Sequence, residues 1–360
     1  LHTSLSAISS AALLITALSS PGLAQSSSAA PATGAGPIAW SIVKKGKDFD
    51  RNPAAYSVGQ LPDGQLVVVG AIGDEMGQPT GAAWVSADGS RWTRLKVKAP
   101  KGSAITALGT VGETVVATGV AGDGSGLVWT SADGSAWSPA TALDGAIYSL
   151  VPTATGLVGV GVEGTAPTAW STADGLSWQA TPLAESGRAL HVVSGPDGSL
   201  VATGVVTDAD DAATPVVWTS TDGATWVETV LGGLLPGMWS VPAAASTPAG
   251  YAVTLSEFGE SGSIGHVWTS PDGLAWTETR VDEDGSLSAA GSAGIDAMLI
   301  GHGQVLRSSD GVGWTATAEA AFEGWTVRDV MTLADGRLFA AGDAFIGQTG
   351  SAMATWIGVG

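Results

Sequence analysis

The sequence predicts an all-β fold, a seven-bladed β-propeller of four-stranded antiparallel blades. Three observations point there. A Trp-flanked Asp-Gly turn recurs six times at roughly 38–52 residues, the period of propeller blades. Each turn is preceded by two further short apolar runs, which makes four strands per unit. The two ends of the chain carry complementary parts of one more unit.

The repeat is aromatic-x-Ser/Thr-x-Asp-Gly-x-x-Trp or close to it. It runs from Trp84 to Trp92 around Asp88-Gly89 and from Trp129 to Trp137 around Asp133-Gly134. It returns at Trp170 to Trp178 around Asp174, Trp218 to Trp226 around Asp222, Trp268 to Trp276 around Asp272, and Leu306 to Trp314 around Asp310. Asp-Gly between apolar runs is a hairpin signal, because Gly accepts positive φ and Asp bonds to nearby backbone amides. A Ser or Thr two residues earlier can bond within the same turn. Upstream strands are expected at 104–108 and 114–120 in the second unit, and at 147–152 and 157–162 in the third. At the C-terminus, 325–332, 337–341 and 353–357 supply three strands, with Trp356 at the first-Trp position. Ile38-Ala39-Trp40-Ser41-Ile42 supplies the fourth, so pairing the two ends closes the ring without an open edge.

The turn resembles the Asp-box hairpin of sialidases, sortilin-type receptors, xyloglucanases and photosystem assembly factors, across six turns between residues 84 and 314. It departs from that pattern in having Asp and Gly adjacent rather than one residue apart. Regular recurrence assigns Asp88, Asp133, Asp174, Asp222, Asp272 and Asp310 to turn formation rather than catalysis, and assigns the 13 repeat-templated Trp residues to the core. The resemblance implies that function sits on the face opposite these turns.

Composition narrows the function. The 360 residues carry 14 Lys+Arg against 33 Asp+Glu, a net charge of −19, which disfavours nucleic acid and anionic membrane surfaces. There is no Cys, so neither disulfides nor thiolate metal sites exist. Residues 1–24 read as a signal peptide, with an apolar run at 11–18 and Gly22-Leu23-Ala24 as a small-x-small cleavage site, although the basic n-region is missing. The run is too short to span a bilayer, so no membrane insertion is expected. Residues 25–37 read as a flexible Ala/Ser/Pro linker and 38–360 as the propeller. The protein is expected to be a secreted or cell-envelope bacterial protein and a monomer.

On the face opposite the turns, aligning the starts of the inner strands gives one column: Tyr56, Ile105, Tyr148, His191, Trp239, Leu287 and Trp325. Trp239 and Trp325 are the two Trp residues outside the hairpin template. Aromatic faces at a channel mouth suit stacking on sugar rings, and the plain alternative is a channel plug. A glycosidase needs two carboxylates facing one bond, and Asp50, Asp144, Glu185 and Glu323 are the loop candidates. The sialidase resemblance implies an arginine trio clamping a carboxylate, for which Arg51, Arg188 and Arg328 are the candidates. The Phe-Arg-Ile-Pro motif expected with it is absent, and Phe49-Asp50-Arg51-Asn52-Pro53 stands nearest.

No cofactor is expected. The four His residues lack metal-ligand spacing. Asp208-Ala209-Asp210-Asp211 lacks the Gly and distal Glu of a calcium loop and reads as a solvated acidic tip with at most weak affinity for Ca²⁺. The leading expectation is a secreted binding module for a glycan or an exported protein. The alternatives are a glycoside hydrolase using loop carboxylates and an assembly scaffold.

Overall fold

The computed structural model describes residues 38–45, 49, 52–74, 78–210, 212–231, 239–259, 262–282, 287–294, 296–301, 303–346 and 350–360. The expected signal peptide and linker, and Asp50 and Arg51, lie outside them. The described strands form seven four-stranded antiparallel sheets. Blade 1 consists of Pro53–Gln60, Leu66–Gly73, Pro79–Ser86 and Thr93–Arg94. Blades 2 to 6 repeat that order, with innermost strands Ala104–Val111, Ala146–Thr153, Gly187–Ser194, Trp239–Thr247 and Leu287–Ala293. Blade 7 takes Thr326–Thr332, Leu338–Ile346 and Gly350–Val359 from the C-terminus and its outer strand, Ala39–Lys45, from the N-terminal side. Each innermost strand packs beside the next, and Thr326–Thr332 returns to Pro53–Gln60, so the ring is closed.

The closing pair runs from Ala39 opposite Val359 to Lys45 opposite Ala354, with one register shift between Ile42 and Lys44, and joins the two ends as the sequence predicts. The core lies between neighbouring blades. Val67, Val69 and Ala83 of blade 1 pack with Ile105, Leu108, Val115 and Trp129 of blade 2. The first Trp of each hairpin fills these interfaces: Trp84, Trp129, Trp170, Trp218 and Trp356 are all essentially inaccessible to solvent.

The turns explain the rest of the repeat. In blade 2, Asp133 Oδ1 accepts from the backbone N–H groups of Ser135 (2.8 Å) and Ala136 (3.0 Å). Ser131 Oγ accepts from Gly134 N–H at 2.8 Å. The second Trp closes the turn by donating its indole N–H to the Gly134 carbonyl at 3.0 Å. The same Asp contacts recur at Asp174, Asp222, Asp272 and Asp310. Hydrogen bonds to the ionised form hold these carboxyls below the usual range, Asp222 at about 2, chiefly through the Thr225 and Ala224 amides. Asp88 Oδ1 accepts instead from the Ser90 amide and hydroxyl, so all six aspartates are turn-forming groups.

Antiparallel order puts two kinds of turn at one end of the ring: the Asp-Gly turns and those joining first to second strands. The other end carries the starts of the innermost strands and the loops joining second to third strands.

Candidate functional site

Every innermost strand carries a register shift near its start. In blade 1 Ala55 pairs with Gly70 and Ser57 with Val69, which leaves Tyr56 as the extra residue. The extra residue is Thr106 in blade 2, Tyr148 in blade 3, Leu190 in blade 4, Ser288 in blade 6 and Arg328 in blade 7. Blade 5 shifts register between Ser240 and Ala243.

This register divides the column read from the sequence into separate positions. Tyr56 and Tyr148 fall on the bulge. Ile105 and Leu287 fall one residue before it and are buried. His191 falls one residue after it, opposite Thr203, and is wholly buried. In that same position Asp329 of blade 7 accepts from Ser57 Oγ (3.1 Å) and Val58 N–H (2.9 Å) of blade 1, and Ser149 of blade 3 accepts from Val192 N–H at 3.2 Å in blade 4. The position after the bulge is thus a blade-to-blade contact, and His191 belongs to it rather than to a solvent-facing ring. Trp325 precedes its strand, is half-buried, and packs edge-on to Trp356 with centroids 5.7 Å apart, against the core of blades 6 and 7. Trp239 opens the first strand of blade 5, its backbone opposite Glu257. The physical reason for the mixed column is that one inserted residue reverses the pleat downstream, so apolar character alone cannot align the strands.

A signal for the bulge was present in the second strands. Gly70, Gly119, Gly161, Gly204 and Gly342 lie opposite the residue before the bulge. A Cβ on any of them would come within 1.8–2.2 Å of an inner-strand carbonyl oxygen, so only glycine fits.

Around the bulges, Tyr56 and Tyr148 share one apolar cluster with Leu190, Val120 and Val162. Burial raises the pKa of both phenols, so each hydroxyl stays protonated at neutral pH and can donate a hydrogen bond. The nearby Arg188 charge acts the other way on Tyr148, and Asp343 and Arg328 act in opposite senses on Tyr56. Arg188 itself is exposed. Arg328 makes a two-pronged ion pair with Asp343, Nε to Oδ2 at 3.1 Å and Nη2 to Oδ1 at 2.9 Å. Burial opposes the Arg328 charge, but Asp343 more than offsets it and leaves the pKa above its ordinary value.

Among the described residues the structure does not assemble the chemistry the resemblance implied. Asp144, Glu185 and Glu323 are exposed on connections leading into blades 3, 4 and 7, and no hydrogen bond joins any two of them among the described residues. Of the arginine trio, Arg328 is engaged by Asp343 and Arg188 stands beside Tyr148. Asp343 was not a sequence candidate. It follows Gly342 in its strand, where the other blades carry Ala71, Val120, Val162 and Val205.

Elsewhere, a cavity of about 770 Å³ opens at the Asp-Gly-turn end, lined by Gln60, Pro62, Thr110, Thr153, Thr155 and Ala173 among others. It holds no charged or aromatic side chain and none of the sequence candidates. Asp208 Oδ1 accepts from the Asp210 and Ala212 amides, an Asx-type turn; Asp211 lies outside the described residues. Among the described residues no three His, Asp or Glu side chains are grouped to hold a metal ion. No described helix is long and apolar enough to cross a membrane.

No protein-family model and no curated protein matches the chain. Solved structures do. The chain is similar to the Trypanosoma rangeli sialidase in complex with the inhibitor DANA, with a TM-score of 0.50 and 14% identity over 85% of this chain and 55% of that one. It is also similar to the extracellular domain of a putative hybrid two-component system from B. thetaiotaomicron, with a TM-score of 0.55 and 8% identity over 85% of this chain and 39% of that one. This chain therefore spans about half, or less, of each matched chain. At these identities the likeness is one of fold alone, a β-propeller, which in this chain has seven blades.

Proposed function

We propose that the protein is a secreted binding module that recognises a glycan at the end of the axis opposite the Asp-Gly turns. The observation that carries this reading is the shared cluster of Tyr56 and Tyr148, two protonated phenols set among Leu190, Val120 and Val162. Tyr56 is half-buried and Tyr148 is 9% exposed, so the cluster offers a ligand a phenol edge and its hydroxyl beside a limited apolar area for a sugar face. Arg188 adds an exposed donor beside Tyr148. Hydrolysis has less support, because the described candidate carboxylates are exposed and unpaired with one another, whereas a glycosidase needs two of them across one bond. Likeness of fold to an extracellular domain agrees with export.

The test is a broad glycan array probed with the wild type and with the double variant Tyr56→Ala/Tyr148→Ala, each checked for an intact fold by circular dichroism. The reading expects a hit that the double variant loses. A hit that survives the double variant, or a blank array, contradicts it.

A further inference from the structure

Blade 7 departs from its neighbours at two ring positions at once. Its bulge residue is Arg328, where the other described bulges carry Tyr56, Thr106, Tyr148, Leu190 and Ser288. Its residue after the second-strand glycine is Asp343, where four other blades carry Ala or Val. The two meet in a forked pair, with side chains only 14% and 7% accessible, beside Tyr56. Asp343 occupies the Nε/Nη2 edge of the guanidinium and cancels its charge, so an incoming carboxylate would meet only the Nη1/Nη2 edge of an already neutralised, largely buried pair. The guanidinium keeps N–H donors beyond the two used by the pair, and these suit neutral hydroxyl or carbonyl oxygens.

We infer that Asp343 is a specificity-determining residue: by taking one edge of Arg328 and cancelling its charge it makes this site select neutral ligands over ligands that carry a carboxylate. The inference rests on the reading that the bulge ring binds ligand. It adds what that ring discriminates against, and a change at Asp343 should therefore invert the preference rather than merely weaken binding.

The experiment follows thermal stability and calorimetric binding during titration with sodium acetate and with glucuronate, against sodium chloride at equal ionic strength and glucose as the neutral control. The proteins are wild type, Asp343→Ala, the near-isosteric Asp343→Asn, and Asp343→Ala/Arg328→Gln. Emptying the fork should give Asp343→Ala an affinity for both carboxylates about tenfold or more above wild type, as a charge-assisted pair provides. Acetate should raise its Tm, and Arg328→Gln should abolish both effects. If Asp343→Ala does not fold, Asp343→Asn decides by the same gain. A folded Asp343 variant without that gain overturns the inference, as does a wild type that already binds acetate through Arg328. A purely structural role predicts lost stability with no gain for any anion. A blank glycan array alongside a carboxylate gain in the variant would sink the glycan reading while leaving the Arg328–Asp343 assignment intact.

Discussion

Replacing Trp356 by Ala tests the closed ring at its most loaded point. Trp356 is fully buried, donates its indole N–H to the Ala321 carbonyl at 2.8 Å, and meets Phe322 and Trp325 edge-on at 5.3 and 5.7 Å. Its backbone pairs with Ala340 on one side and with Ile42 of the N-terminal strand on the other. Truncating a buried Trp costs about 3–5 kcal/mol, from lost transfer energy and the cavity left behind. Trp356→Phe keeps most of the apolar volume and removes the donor, which leaves the Ala321 carbonyl short of one partner and costs about 1–2 kcal/mol. Urea denaturation followed by Trp fluorescence reads both, through the midpoint at constant slope. The reasoning fails if Trp356→Ala costs less than about 1 kcal/mol, or if the Phe variant costs as much as the Ala variant.

Other outcomes follow from the same contacts. Deleting residues 38–43 removes the outer strand of blade 7 and the Trp40–Phe322 contact at 4.9 Å, so Tm should fall by at least as much as for Trp356→Ala; an unchanged Tm removes the closure argument. Gly175→Ala should cost about 1–3 kcal/mol more than Gly112→Ala. Both sit at positive φ (74° and 57°), but a Cβ at 175 meets Val116 Cγ2 at 2.5 Å while one at 112 meets nothing; equal costs would refute the packing claim. The turn aspartates have depressed folded pKa values, so their contribution is complete above the unfolded value of about 3.9 and is lost as pH falls through the folded values. Tm should hold from neutral pH down to about 5 and drop below 4. Asp222→Asn should lessen that drop, and a profile superimposable on wild type would deny Asp222 its role.

The ring was legible because its turns announce themselves. Asp133, Ser131 and Trp137 each satisfy a specific backbone group, so their spacing cannot drift without breaking the turn. The interrupted unit was legible because Trp356 and Trp40-Ser41 match the Trp positions that flank the turn in the other units. The site was less so. The column read from the sequence mixes register positions, with Tyr56 and Tyr148 on the bulge and His191 one residue after it, because a bulge is a backbone event that leaves no apolar signature of its own. Its trace lay one strand away, in the glycines that yield to the displaced carbonyl. Asp343 was missed because its contact is with Arg328, fifteen residues earlier, the unpaired bulge residue of a strand in which Asp343 itself stands opposite Thr326.

The most direct measurement compares the two ends of the axis. Tyr148→Ala removes a phenol from the bulge cluster, and Thr153→Ala/Thr155→Ala alters the neutral cavity at the Asp-Gly-turn end. Calorimetric titration of both variants with the strongest glycan from the array gives the answer. The account predicts that Tyr148→Ala weakens binding by tenfold or more, about 1.4 kcal/mol, while the threonine variant binds as wild type does. Loss in the threonine variant with Tyr148→Ala unaffected would place the site at the wrong end and contradict the account.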